Sequence, residues 1–178
     1  MNKFYIIVLA FIFMNDSNKT IFDFNTSSDI YQWKVVDDVV MGGKSNGSFK
    51  INKDGNGEFS GLVSLENNGG FSSLRYDFKS KETEGYKFIV LKVKGDGKKY
   101  QFRLKDDKLN KHSYISIFET NGEWQTIKIT LSEMYPAFRG VKLNIGDFSS
   151  SKIDQIAFLI GNKKAQKFKL EIDEIFFQ

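Results

Sequence analysis

The chain has 178 residues, of which 40% are hydrophobic and 18 are phenylalanines, enough apolar material for the core of one domain. Its formal net charge of +4 arises from lysines dispersed among acids, not from a block of like charge, and this disfavours a nucleic-acid-binding surface. The absence of cysteine excludes disulfides, thiol nucleophiles and thiolate metal sites, but it leaves an exported location open.

The first 18 residues have features of a secretory signal. A short basic start precedes the apolar run Phe4–Met14, which is too short to span a membrane comfortably. Residues 13–17, at the end of this run, lack a small-x-small cleavage pattern. The alternative to a signal is a buried first strand. We interpret 1–18 as a signal peptide and 19–178 as a single domain. The protein is then expected to be exported or periplasmic if the signal is cleaved, and cytoplasmic otherwise.

The remaining chain consists of short segments in which apolar and polar residues alternate, as in strands with one solvated face. Ile156–Ile160 is apolar at every position, which is typical of a central strand covered on both sides. With no long helical period, the pattern predicts an all-β antiparallel β-sandwich of jelly-roll type. The predicted strands are 21–24, 58–65, 71–78, 87–95, 100–104, 114–118, 124–131, 153–160 and 168–177, and 132–140 is predicted to be an irregular connection.

The segment Trp33–Phe49 contains two adjacent aspartates, Asp37 and Asp38, between pairs of valines. The valines predict a strand that continues through position 40, and carboxylates inside such a strand need ionic or hydrogen-bonding partners. Gly42–Gly43 allows positive φ or a close backbone approach, and Asn46–Gly47 predicts a hairpin turn. The sequence therefore predicts a shaped loop on a β scaffold.

Four segments, taken in order, are similar to one protein family. They are Trp33–Ser45, Phe59–Arg75, Gly95–Tyr100 and Pro136–Gly140. Together they resemble the NADH:ubiquinone oxidoreductase intermediate-associated protein 30 family, named for a mitochondrial complex I assembly factor, over about residues 20–177. The resemblance implies a galactose-binding-domain-like β-sandwich and an assembly role. The signal-like amino terminus, in place of a long transit region, departs from the mitochondrial member.

Three motif-like segments do not have the spacing that their chemistry requires. Gly43–Ser45 resembles the end of a phosphate-binding loop, but Asp38 occupies the position of the required glycine. The glycines of 55–61 miss the dinucleotide-binding spacing and lead into a strand. Asn52–Gly57 resembles the start of a calcium loop, but Val63 occupies the position of the bidentate Glu, so the segment predicts a hairpin turn.

No catalytic set can be assembled from the titratable residues either. Asp37 and Asp38 are neighbours in a predicted extended segment and would point to opposite faces, so they cannot flank one glycosidic bond. The only histidine, His112, lies in a charged turn without an acid or nucleophile pattern around it, which predicts an exposed surface residue. We therefore expect a non-enzymatic protein with no cofactor, no metal site and no nucleic-acid partner.

Arginine is rare in this chain, with Arg75, Arg103 and Arg139 as its three copies among 26 basic residues. A guanidinium offers a planar fork of five donors, so it is suited either to structural ion pairs or to a ligand. We predict the structural use, in which Asp37 or Asp38 pairs with Arg75 or Arg139 and holds the turn at 41–43 against the turn at 68–70. The alternative is that the arginines bind a surface ligand.

Two functions are compatible with these observations. The first is a binding or assembly module whose loops dock a protein partner, in line with the resemblance, with a respiratory-complex or other membrane-associated assembly as one expected partner. The second is a carbohydrate-binding module of an exported protein, which would need an exposed aromatic platform such as Trp33 or Trp124. The candidate partner-binding or ligand-binding residues are Asp37, Asp38, Met41, Gly42, Gly43, Ser45, Asn67, Asn68, Gly70, Phe71, Arg75 and Arg139.

Overall fold

A computed structural model describes residues 19–178, except for the side chains of Val40 and Met41. The signal peptide predicted at 1–18 lies outside these described residues. The described part of the chain contains thirteen strands. They are β1 (Lys19–Asp23), β2 (Trp33–Asp37), β3 (Asn46–Ile51), β4 (Gly57–Val63), β5 (Ser72–Glu82), β6 (Phe88–Gly95), β7 (Lys99–Lys105), β8 (Ser113–Glu119), β9 (Trp124–Thr130), β10 (Tyr135–Phe138), β11 (Val141–Lys142), β12 (Lys152–Ile160) and β13 (Gln166–Phe177).

The strands form two antiparallel sheets. One has six strands in the order β3-β4-β13-β6-β9, with β1 paired to the last part of β13 beyond the end of β4. The other has seven strands in the order β11-β10-β8-β7-β12-β5-β2. Strands that are adjacent in a sheet are often far apart in the sequence. For example, β12 lies between β5 and β7. The result confirms the predicted antiparallel β-sandwich.

The alternating pattern places one face of each sheet in the core between them. On β7, Tyr100, Phe102 and Leu104 point inward and are at most 1% exposed, while Gln101 and Arg103 lie on the outer face and are half-buried. Each large apolar side chain removed from water in this way stabilises the fold by about 1.5–3 kcal/mol. The inward alternate residues of the strands therefore hold the sandwich together and leave the outer faces available for other roles.

An aromatic cluster surrounds Trp33 in the core. The Trp33 ring is 6% exposed and stacks on Tyr76, with ring centroids 4.6 Å apart. Phe22, Phe24 and Phe49 pack around it at centroid distances of 5.3–5.5 Å. Trp33 is therefore a core residue.

The strand predicted through position 40 ends earlier. Asp38–Met41 forms a 3₁₀ turn, and Gly42 ends it with a φ of +90°. The backbone turns because the Asp38 side chain folds back toward a neighbouring loop. The hairpin predicted at Asn46–Gly47 is also wrong, since both residues belong to β3, where they pair with Leu62 and Gly61.

The hairpin predicted at Asn52–Gly57 is confirmed. The Asn52 amide donates to the Asn56 carbonyl at 2.8 Å, and the Gly55 amide donates to the Asn52 carbonyl at 3.1 Å. The connection predicted at 132–140 is more regular than expected, because it includes the strand β10. None of the helical turns in residues 19–178 has the length and apolar character needed to cross a membrane.

Strands β10 and β11 form a hairpin with a two-residue turn at Arg139–Gly140. Phe138 pairs with Val141 across it. Both turn residues have positive φ, +49° for Arg139 and +81° for Gly140. Such turns favour Asn, Asp or Gly at their first position, so an arginine there is unusual.

Candidate functional site

A buried carboxylate joins the two loops that the sequence analysis singled out. Asp38 is 1% exposed, and its carboxylate accepts hydrogen bonds from the Ser45 amide at 2.9 Å, the Gly70 amide at 2.6 Å and the Phe71 amide at 3.2 Å. The Ser45 hydroxyl donates a fourth. We call this set of residues, Asp38, Ser45, Gly70 and Phe71, the Asp38 joint. It holds the loop after β2 against the loop before β5.

The Asp38 joint requires glycine where the backbone passes the carboxylate. A Cβ atom on Gly43 would lie 2.2 Å from Asp38 Oδ1, and one on Gly69 would lie 2.7 Å from Asp38 Oδ2. Asn67 adds a contact at the rim, where its side-chain amide donates to the Gly42 carbonyl at 3.1 Å. Gly43 and Gly69 thus follow from close packing around one side chain, whereas their neighbours Gly42 and Gly70 have positive φ values of +90° and +144°.

Hydrogen bonding outweighs burial in setting the ionisation of Asp38. Burial alone would raise the pKa of this carboxyl, but the bonds from Ser45, Gly70 and Phe71 together hold it below its usual value of 3.8. The neighbouring Asp37 has a similar internal role, because its Oδ2 accepts from the Gly47 amide at 2.9 Å and its Oδ1 accepts from the Ser72 hydroxyl. Both aspartates therefore have internal hydrogen-bonding partners.

The predicted ion pairing of these aspartates with Arg75 or Arg139 is wrong. Backbone amides and serine hydroxyls satisfy both carboxylates instead. None of the ion pairs formed within residues 19–178 involves an arginine. The predicted contact between the two glycine-rich turns does exist, but a hydrogen-bonded carboxylate makes it.

The three arginines lie instead in one groove on the outer face of the seven-stranded sheet. This arginine groove encloses about 600 Å³. Its rim toward the Asp38 joint is formed by Asn68, Gly70 and Phe71. The residues that line it are Leu65, Asn68, Gly69, Gly70, Phe71, Ser73, Arg75, Gln101, Arg103, Lys105, Lys111, Ser113, Ala137, Phe138, Arg139, Gly140, Gln155, Ala157, Leu159, Gly161 and Lys163.

Sheet register explains how Arg75 and Arg103 come together. Ala157 on β12 pairs with Arg75 on β5 and with Arg103 on β7, so the three residues form one row across the sheet. Paired residues of adjacent antiparallel strands share a face, and two strand spacings put the arginine Cα atoms about 10 Å apart. The small Ala157 side chain leaves open space between the two guanidinium groups.

The groove is strongly cationic. Six of its lining residues are Arg or Lys, and none of the described lining residues is Asp or Glu. Burial, followed by repulsion from Arg75, lowers the pKa of Arg103 to about 10, and the same two causes lower that of Lys105. Burial also lowers the pKa of Arg75, partly offset by Asp77. Asp77 accepts a hydrogen bond from the side-chain amide of Gln155 at 2.6 Å.

Arg103 is held in position by the strand residue two places before it. Its Nε and Nη2 atoms both donate to Gln101 Oε1, at 2.9 Å and 2.6 Å. This neutral partner orients the guanidinium without neutralising its charge. Arg139, at the far end of the groove, is exposed and lies 5.4 Å from the centre of the Phe138 ring.

The aromatic residues proposed as sugar platforms lie elsewhere. Trp33 is in the core, and Trp124 is 46% exposed but begins β9, in the opposite sheet from the groove. His112 is half-buried, not exposed as predicted, because its ring packs edge-on against Tyr114 at 5.3 Å. Residues 19–178 contain no cluster of three or more His, Cys, Asp or Glu residues able to hold a metal ion.

The structure brings some predicted site residues into the groove and assigns others to its support. Asn68, Gly70, Phe71, Arg75 and Arg139 line the groove. Asp38 and Ser45 belong to the Asp38 joint, and Gly43 packs against its carboxylate. Asp37 bonds to Gly47 and Ser72 beside it, and Gly42 and Asn67 bond to each other at its rim. The Met41 side chain lies outside the described part of the structure. Sequence reasoning missed Gln101, Arg103, Lys105, Lys111, Gln155 and Lys163 as site residues. The signal for Gln101, Arg103 and Gln155 was the polar parity of the predicted strands, together with the rarity of arginine for Arg103, whereas Lys105, Lys111 and Lys163 lie outside the predicted strands.

Comparison with known proteins identifies relatives over most of the chain. The sequence profile described as Complex I intermediate-associated protein 30 matches residues 22–172. Two proteins named "Complex I intermediate-associated protein 30, mitochondrial", from Mus musculus and Drosophila melanogaster, are each 26% identical, over 88% and 92% of this chain. The chain spans only 55% and 64% of the lengths of these two relatives.

Solved structures show the same fold in carbohydrate-binding modules. A family 11 carbohydrate-binding module from Clostridium thermocellum, determined in complex with a β-1,3-1,4-mixed-linked tetrasaccharide, has a TM-score of 0.68 and 19% sequence identity. The match covers 90% of this chain and 94% of that module. This likeness establishes the β-sandwich architecture.

Proposed function

Because the chain belongs to the Complex I intermediate-associated protein 30 family, we propose that it is a non-enzymatic binding module that docks a protein partner, with the arginine groove as its docking site. The observation that carries this proposal is the location of all three arginines of the chain in one groove whose described lining contains no acid. Asp77 offsets this partly buried positive charge only in part. Such charge is costly in a free protein, and an anionic partner would reduce that cost.

The family supports the class of partner. Relatives of this chain bear a name that associates them with intermediates of complex I, so a protein assembly is the natural partner class. The present chain spans part of those relatives, and the proposal extends to it only the docking of a protein. If residues 1–18 act as a secretory signal, this docking takes place outside the cytoplasm.

The carbohydrate-binding alternative has weaker support. Flat apolar sugar faces are bound by exposed aromatic rings, and neither tryptophan lies in the groove. The described lining residues include two phenylalanines, Phe71 and Phe138, but no Trp or Tyr. The shared fold with carbohydrate-binding modules concerns architecture, and the cationic lining favours an acidic ligand.

The proposal is tested by quantitative crosslinking and affinity capture from the native host. Three tagged forms are compared: the natural chain, the groove variant Arg75→Gln/Arg139→Asn, and the control Lys53→Gln/Lys167→Gln. The control removes the same charge from exposed positions on the hairpin turn after β3 and on β13 of the six-stranded sheet. We expect a defined protein partner to be enriched with the natural and control forms and lost with the groove variant.

Two results would overturn this function. One is a partner that is captured equally by the groove variant, since docking would then use another surface. The other is saturable binding of neutral oligosaccharides on a glycan array by the natural chain, abolished in the groove variant, which would make the carbohydrate-binding function the better account of the same groove.

A further inference from the structure

We propose that the arginine groove recognises an extended acidic segment of the partner, in which carboxylates lie at the Arg75–Arg103 row and apolar side chains flank them. This inference rests on the proposed docking function and specifies its ligand. It follows from the arrangement of charge, from the apolar surfaces on either side of that charge, and from the unusual position of Arg139.

The Arg75–Arg103 row supplies the charge recognition. Guanidinium forks bind carboxylates in bidentate fashion, and these two forks flank the small Ala157 side chain. Gln101 accepts from Nε and from one of the two Nη2 hydrogens of Arg103, and this leaves Nη1 and the second Nη2 hydrogen as a fork for a carboxylate. Backbone amides are not available for the same task at the adjacent rim, because those of Gly70 and Phe71 donate to Asp38.

Apolar surfaces lie on both sides of this row. Phe71 immediately precedes β5 and Phe138 ends β10, on opposite sides of the row in the sheet register. Leu65 and Leu159 add aliphatic surface toward Phe71, and Ala137 does so toward Phe138. Aliphatic and phenylalanine surfaces pack well against apolar peptide side chains, whereas sugar rings prefer Trp and Tyr platforms. The groove thus favours a peptide over an acidic polysaccharide.

Arg139 provides independent support. It occupies the first position of a two-residue hairpin turn with a φ of +49°, where Asn or Gly would fit without strain. Its guanidinium lies 5.4 Å from the centre of the Phe138 ring, which is itself 37% exposed. An arginine kept in an unfavourable backbone conformation at the end of a cationic groove is explained if its guanidinium contacts the ligand.

The experiment measures fluorescence anisotropy of the purified chain with defined probes. The principal probe is a labelled peptide with a run of glutamates flanked by leucines. Its comparators are the same peptide with glutamine in place of glutamate, and an oligogalacturonate of similar charge. We expect the glutamate peptide to bind most tightly, with an affinity that falls as salt rises. Arg75→Gln, Arg103→Gln and Arg139→Asn should each weaken binding about tenfold or more, and Lys167→Gln should not.

Thermal melts separate ligand contact from structural support. Because asparagine suits the turn, Arg139→Asn should keep or raise the melting temperature while it weakens peptide binding. Equal binding of the glutamine peptide, equal or tighter binding of oligogalacturonate, or an affinity loss in Arg139→Asn that accompanies unfolding would each overturn the inference.

The two proposals fail in different ways. If capture of the partner depends on the arginines but no acidic peptide binds, the acidic-segment inference is wrong and the docking function stands. If the glutamate peptide binds and the partner is captured equally by the groove variant, the peptide binding does not represent docking, and both proposals fall.

Discussion

Replacing Asp38 tests whether the buried carboxylate holds the two loops together. In Asp38→Ala, three backbone amides and one hydroxyl lose their acceptor inside a site where the side chain was 1% exposed. A buried donor left without a partner costs about 1–3 kcal/mol, but the Ser45 hydroxyl keeps the Ser64 carbonyl as an acceptor at 3.4 Å and the Gly70 and Phe71 amides are only partly buried. The variant should therefore lose roughly 2–3 kcal/mol of stability. For a domain of this size, that corresponds to a fall of about 4–12 °C in melting temperature.

The assay combines chemical denaturation and thermal melts of Asp38→Ala, Asp38→Asn and the control Asp147→Asn, an exposed aspartate. Asparagine retains the shape but turns donors toward groups that are themselves donors, so Asp38→Asn should also be strongly destabilised. A loss no greater than that of Asp147→Asn would refute the reasoning, because the carboxylate would then not hold the loops together.

The same carboxylate predicts a pH dependence. Since the folded state lowers the pKa of Asp38, its contribution is fully present above the usual value of 3.8 and is lost as pH falls through the lower folded value. The stability difference between the natural chain and Asp38→Asn should therefore be constant near neutral pH and shrink in acid below 3.8. A difference that grows in acid would contradict the sign of the shift.

Three further predictions follow from other parts of the chain. Gly43→Ala should destabilise the fold by about 1–3 kcal/mol in denaturant titrations, because its Cβ would lie 2.2 Å from Asp38 Oδ1. Tyr100→Phe should lose about 1 kcal/mol in the same assay, because the fully buried hydroxyl lies 2.9 Å from Asp96 Oδ1. Amino-terminal sequencing of protein from the native host should find a start between about residues 15 and 20, and an intact first residue in the cytoplasmic fraction would contradict export.

The architecture could be predicted because strand alternation is a local property. On β7, for example, the sequence separates Phe102 on the inner face from Arg103 on the outer face without knowledge of any partner strand. The turn at Asn52–Gly57 was equally readable, since its residues suit a hairpin. Strand order was not readable, because it depends on long-range pairing such as the insertion of β12 between β5 and β7.

The site was only partly readable for the same reason. That Asp38 must be held by a partner follows from the cost of burying a carboxylate, but its donors turned out to be amides at Gly70 and Phe71, about thirty positions away. Every residue except proline carries such an amide, so nothing in the residue types favours these two over an arginine. Likewise, the rarity of arginine drew attention to Arg75, but Arg103 was missed as a site residue, and only the shared register with Ala157 places the two in one row.

The Asp38 joint also explains why the groove depends on arginine side chains for its positive charge. Loop amides such as those of Gly70 and Phe71 can bind anions by themselves, but here they donate inward to Asp38, whose negative charge is buried behind the rim. These two rim amides are therefore already satisfied. Side chains that project from the sheet must therefore recognise an acidic ligand, and all three arginines of the chain line the groove where such a ligand would bind.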